Sequence, residues 1–244
     1  MKTLTVNWKP FEHPFGIRPD SRGDLTFGIS GKEPLTEEGL QEALRLFGEG
    51  LGSNAFKATA SVFTKYYAKK LCGVLYGMSV LNEGLSLPLH GLVLEFGQAP
   101  DFSLRPVSPS LIPCPSGDRA TWRKWILQSL FAENLTLLFE ELARQTCVHR
   151  DILWENALVY IRHYYGVWTE EAASAEDRRR IADDYRYLTA EAEAGLFGIG
   201  SQPFAPYDTT LAPGYKPMRK TCCMRYLLPE AACCKTCPRR SAGG

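Results

Sequence analysis

No stretch of the sequence offers the roughly 18 to 20 consecutive apolar residues of a bilayer-crossing helix, which excludes such a helix. The opening residues, MKTLTVNWKPFEHPFG, hold no continuous apolar region and no small-residue cleavage site, so no secretory signal is expected. Also missing are a phosphate loop, a dinucleotide fingerprint, any flavin or nicotinamide motif and a catalytic triad. These absences argue against nucleotide-driven and hydrolytic chemistry. There is no internal repeat and no low-complexity tract, so neither a solenoid nor a disordered array fits. The net charge is only +1, and nothing in its balance points to nucleic acid. A cytoplasmic chain, at most peripheral to the inner face of the membrane, is the expectation.

What the sequence does have is helical periodicity. Phe56, Ala60, Phe63, Tyr67, Leu71, Val74, Met78 and Leu81 recur every three or four residues, the spacing of one helix face. Leu40, Leu44, Phe47 and Leu51 repeat the pattern, closed by Gly48, Gly50 and Gly52. Further helices are expected from Asp118 to about Arg144 and through HRDILWENALVYIRHYYG. Ser174 and Asp177 form a capping-box pattern ahead of Ile181, Tyr185, Leu188 and Ala192, with Gly195 as a stop. Strand signals are few: Leu25, Phe27 and Ile29 alternate, and PLHGLVLEF reads as a buried strand with His90 on an apolar face. DFSLRPV is expected to pair with it as a hairpin. The fold class is therefore α+β, one mostly helical domain with a small antiparallel sheet.

Three segments follow. Residues 1–197 form the body, and residues 198–217 form a Gly/Pro-rich strap with Phe204, Tyr207, Leu211 and Tyr215 as apolar anchors. Residues 218–244 form a C-terminal arm, and there the chemistry concentrates. TCCMRYLLPEAACCKTCP, residues 221–238, holds five of the eight cysteines. In the reducing cytosol such crowding favours metal binding or redox work over disulfides. Cys72 reads as core, Cys114 as part of a Pro-flanked turn and Cys147 as near a helix end.

The ligand set is Cys222 and Cys223, ten residues, Cys234, two residues, Cys237. Cys234 and Cys237 form the C-x-x-C chelate. Adjacent Cys222 and Cys223 side chains point to opposite sides in extended backbone, which hinders capture of one small tetrahedral ion and suits a larger two-iron cluster. Softness alone leaves iron–sulfur, zinc and copper(I) open. Charge leans the same way as geometry. Lys216, Arg219, Lys220, Arg225, Lys235, Arg239 and Arg240 face only Glu230 between residues 216 and 240, so this stretch is +6 within a chain of +1. That field would offset an anionic cluster and keep thiols ionised.

RKTCCMRY, the ten-residue spacer and the closing C-x-x-C-P resemble the C-terminal signature of the FhuF-like ferric-siderophore reductases. Arg219, Cys222, Cys223, Tyr226, Cys234, Cys237 and Pro238 all fall where that pattern wants them. Upstream, LWENA (Leu153 to Ala157) is similar to the family's Leu-Trp-Gly-Asn motif, with Glu155 in place of the glycine. The resemblance implies a [2Fe–2S] cluster on Cys222, Cys223, Cys234 and Cys237, and one-electron reduction of siderophore-bound Fe(III) to Fe(II). Cys233 departs from the pattern, and it is read as a spare thiol or a substitute for Cys234.

On that reading Lys220, Arg225, Lys235, Arg239 and Arg240 attract an anionic hydroxamate or catecholate chelate or steer an electron donor. Tyr226, Trp154 and Tyr215 offer an aromatic contact surface. The donor would be a ferredoxin or a separate flavin/NAD(P)H reductase. Two other readings remain: a zinc-bound structural arm, and a one-electron carrier between partner proteins.

Overall fold

Helix α3, Phe56–Tyr76, is apolar on nearly every side, and such a helix is stable only at the centre of a protein. In the computed structural model, which describes residues 7–20, 26–27, 36–97 and 100–240, it lies there. Helix α6, Arg150–Glu171, packs along it, and the shorter α2, Glu37–Gly50, covers another flank. α1, Lys9–Glu12, is a single turn ahead of them. Thr36 caps α2 by accepting from the Gly39 N–H at 3.1 Å. Gly52, at φ +62°, supplies the left-handed residue that lets the chain turn back after α2.

The segment from Asp118 to Thr146 is one helical run in three parts. Asp118 caps α4 (Arg119–Leu130), a wide turn spans Phe131–Leu135, and α5 follows as Thr136–Thr146. Similar wide turns extend α3 over Gly77–Leu81 and α7 (Ala175–Arg186) over Tyr187–Glu191. The expected box at α7 forms: Ser174 Oγ accepts from the Asp177 N–H at 3.0 Å and pairs with its carboxylate at 2.7 Å. Gly195 is not the stop. The helix ends at Glu191, and Gly195 lies within a separate 3₁₀ turn, Ala194–Phe197.

Antiparallel pairing joins β3 (Leu92–Phe96) to β4 (Phe102–Pro106), with Leu94 opposite Leu104 and Phe96 opposite Phe102. β3 is buried along its whole length, as its composition demands. β1, Thr26–Phe27, adds to the other edge of β3; Leu25 and Ile29 lie outside the described residues. His90 is not on the strand. It sits exposed in a 3₁₀ turn, Leu89–Gly91, because Pro88 delays the extended backbone until Leu92. A separate ribbon pairs β2 (Glu83–Leu85) with β5 (Leu111–Pro113). Gly84 is required there, since a Cβ would meet Ile126 Cδ1 at 2.5 Å. The fold is α+β, a single domain. Among the described residues no helix is long and apolar enough to cross a membrane.

Asp184 locks α7 to α4. Its carboxylate is 0% exposed and takes both guanidinium arms of Arg119, at 2.7 and 2.6 Å, plus Arg123 at 3.0 Å. Asp184→Ala strands two cations in partial burial, and the expected loss is about 3–5 kcal/mol of unfolding free energy by urea titration. A loss below about 1 kcal/mol would show the pairs to be solvent-screened instead.

Candidate metal centre

Three consecutive residues of α6 place the arm. Successive helix positions turn by about 100°, so Trp154, Glu155 and Asn156 face three different neighbours. Glu155, 4% exposed, faces the arm and grips it. Its carboxylate accepts from the backbone N–H of Lys220 at 2.7 Å and of Thr221 at 2.8 Å, and from the Thr221 hydroxyl. The Arg219 guanidinium, equally buried, approaches it at 3.4 Å, and Arg219 Nη1 has no partner among the described residues. Asn156 faces α3, donating to Ser61 O at 2.8 Å and Thr64 Oγ1 at 3.0 Å. Ser61 in turn donates to the Cys223 carbonyl at 2.9 Å, which ties the first cysteine pair to the central helix.

Trp154 does not contribute to an aromatic docking surface. It is 6% exposed and packs among Phe131, Phe139, Phe197 and Phe204, because the helix period turns it away from the arm and into the core. Trp154→Ala should therefore cost about 3–5 kcal/mol of stability in chemical denaturation. A soluble, fully stable variant would return the residue to the surface.

The strap crosses the helical body as expected for most of its anchors. Phe204 is fully buried, Tyr207 donates to Asp151 O at 2.8 Å, and Leu211 packs on the core. Tyr215 instead stands exposed, donating to the Asp208 carboxylate at 2.6 Å.

The arm folds so that its sulfurs meet. All eight cysteines are free thiols, and Cys223 Sγ lies 4.0 Å from Cys234 Sγ. Cys237 is buried in the same neighbourhood, where the thiols of Cys222, Cys233 and Cys234 influence its proton affinity. The backbone N–H of Met224 donates to Cys222 Sγ at 3.4 Å. Met224, at φ +58°, provides the bend that turns the adjacent Cys222 and Cys223 toward their partners. Arg219 N–H to Thr236 O, at 3.0 Å, closes the two halves of the arm on each other.

Proton affinities alternate around the group. Burial pushes the Cys223 thiol up, but the Lys65 ammonium, the Arg225 N–H and the Arg219 guanidinium together hold it below the ordinary thiol value. Burial is outweighed at Cys237 as well, by the Arg239 N–H and the neighbouring thiols, and its value is lowered. Cys222 is raised by burial, and Cys234 is pushed up to about 11 by burial and the neighbouring Cys223 charge.

Lys65 is the residue that spacing along the chain did not disclose. Its ammonium stands 3.8 Å from Cys223 Sγ. The only sequence signal was a polar stripe, Ser61, Thr64 and Lys65, on a helix whose other faces are mostly apolar. The basic candidates separate: Arg225 lines a cleft beside Cys223, Arg239 lies over the Tyr226 ring at 4.3 Å, and Lys220 borders a smaller cleft by Glu155. Lys235 and Arg240 are exposed. Among the described residues no group of three or more His, Cys, Asp or Glu is arranged to hold a single metal ion.

Neither a protein-family model nor a curated protein matches the chain.

Proposed function

We propose that the chain is a one-electron reductase of siderophore-bound ferric iron, with a [2Fe–2S] cluster held by Cys222, Cys223, Cys234 and Cys237. One observation carries this reading: the fold brings the two ends of the cysteine segment together, with Cys223 Sγ 4.0 Å from Cys234 Sγ and Cys237 buried beside them. A single tetrahedral ion needs four ligands converging on one point, whereas a two-iron cluster needs a pair of thiolates for each iron. The donor set fits the group. Thiolate is soft, the Met224 N–H already faces Cys222, and the ammonium of Lys65 and guanidinium of Arg219 lie close enough to offset added negative charge.

When bound, such a cluster supplies storage and transfer of single electrons. The chain's own residues do the rest. Glu155 and Ser61 hold the arm against α6 and α3, so the thiols stay together without a substrate present. Lys65 and Arg219 lower the cost of gathering anionic sulfur in a half-buried place. The net reaction moves one electron from a partner protein to ferric iron. Hard anionic oxygens hold a 3+ ion far better than a 2+ ion, so the product chelate weakens with every covalent bond of the chelator intact. The electron donor belongs to a separate protein, a ferredoxin or a flavin/NAD(P)H reductase, acting in the cytoplasm.

Anaerobic stopped-flow with a ferrous-specific chromophoric chelator tests the activity. The chain, supplied with a ferredoxin and its reductase, should form Fe(II) from ferric siderophore many times faster than the donor system alone. Equal rates with and without the chain, at full iron and sulfide content, would end the reductase reading.

A further inference from the structure

The arm closes over the body to enclose a cleft of about 590 Å³, within the ~300–1,000 Å³ range of small-molecule sites. One wall is a face of α3, where Lys65, Tyr66 and Lys69 fall at helical spacing. Arg18 from the segment after α1, Tyr160 from α6 and Arg225 from the arm complete it.

Cations outnumber carboxylates in the cleft. Five cations line it, Arg18, Lys65, Lys69, Lys70 and Arg225, against the carboxylates of Glu12, Asp101 and Glu230. Lys70 and Asp101 pair at 2.9 Å and cancel. Among the described residues Arg18, Lys65, Lys69 and Arg225 have no carboxylate within ion-pair distance, and Arg18 Nε is buried with no hydrogen-bond partner. Charged groups this close together are normally neutralised by their neighbours, and a cationic surplus in a walled recess raises the local concentration of anions. The rings of Tyr66 and Tyr160 add flat apolar surface with a hydroxyl at the edge.

The cleft also adjoins the thiol group. Lys65 lines it and reaches Cys223 Sγ at 3.8 Å, and Arg225, two residues after Cys223, lines it as well. A molecule in the cleft would therefore stand one side chain away from Cys223.

Ferric chelates differ in charge. Three dianionic catecholates leave a 3+ ion at about −3, whereas three monoanionic hydroxamates leave it neutral. We propose that this cleft is the docking site for the ferric chelate and that it selects multiply anionic chelates, of catecholate or carboxylate type, over neutral hydroxamates. This inference rests on the reductase reading for the identity of its ligand. Lys69 and Arg18 supply attraction remote from the thiols, Tyr66 and Tyr160 pack against the planar arms of the chelator, and Lys65 lies between chelate and thiolate.

Gallium(III) carries the same charge as ferric iron and accepts no electron under these conditions, so it isolates docking from chemistry. The full chain is titrated with gallium(III) complexes of a hexadentate tris-catecholamide and of a hexadentate trihydroxamate, following intrinsic fluorescence. The catecholamide complex should bind about tenfold or more tighter, with the preference shrinking as salt rises. Lys69→Glu should weaken it about tenfold and leave trihydroxamate binding unchanged; Lys69→Gln should lie between. Both variants should keep the visible spectrum and melting profile of the parent. Equal affinities for the two complexes, or Lys69 variants that bind as the parent does, would overturn the cleft. Reduction of ferric chelates alongside unaltered Lys69 variants would sink the cleft and spare the reductase reading. Cleft binding without reduction would do the reverse.

Discussion

Cys223→Ser, purified without oxygen and supplied with iron and sulfide, should stay nearly colourless, whereas the parent chain should take up about two irons and two sulfides and turn reddish-brown. The reason lies in how completely the fold commits that sulfur. Cys223 is 2% exposed, its carbonyl is fixed by Ser61, and its sulfur faces Lys65 and Cys234. Serine keeps the shape but offers an alcohol that ionises poorly beside a sulfur-rich centre. No other thiol stands ready to replace it, since Cys72 is buried in the core and Cys114 and Cys147 lie at the end of β5 and of α5. Cys233, read as a spare thiol beside Cys234, stays half-buried, and Cys233→Ser should retain the cluster with a small spectral change. Iron and sulfide content with electron paramagnetic resonance of the reduced protein decides the matter. A colourless parent holding one zinc per chain would remove the cluster and the activity proposed with it.

Glu155→Ala is expected to release the arm while sparing the body. The buried carboxylate satisfies two backbone N–H groups and a hydroxyl of residues 220–221 and faces the buried Arg219. Removing one partner of such a pair costs about 3–5 kcal/mol if the other stays buried. Here the arm can detach locally, which caps the cost at its own docking energy. The helical circular dichroism should thus change little. Amide exchange of residues 219–224 should rise by about a hundredfold, and iron retention should fall with it. Glu155→Gln keeps the shape but leaves Arg219 uncompensated, and it should fall between. Unchanged exchange and full iron content in the alanine variant would show that the cysteines, not α6, hold the arm.

Glu155 also shows where reading along the chain stops short. In the Leu-Trp-Gly-Asn resemblance it stands as a departure, a carboxylate at a glycine position. In the fold it is the anchor of the arm, a role that depends on residues 65 and 66 positions away. Trp154, one residue earlier, looked equally available for an external role and is core. Sequence spacing could not separate the two, because all of LWENA is buried and only the direction of packing on α6 assigns each side chain a partner.

What the sequence by itself determined was everything that acts within a few residues: helix periods, the capping box at Ser174, the β3–β4 hairpin and the C-x-x-C chelate. These depend on hydrogen bonds and side-chain faces between near neighbours, so they can be read from local order. Tertiary structure alone decided that Lys65 meets Cys223 across 158 positions, that Glu155 grips residues 219–221, and that Arg18, Lys69 and Arg225 share one cleft. Such contacts arise from how whole helices pack and where the strap lays the arm, and no local pattern in the chain encodes that choice.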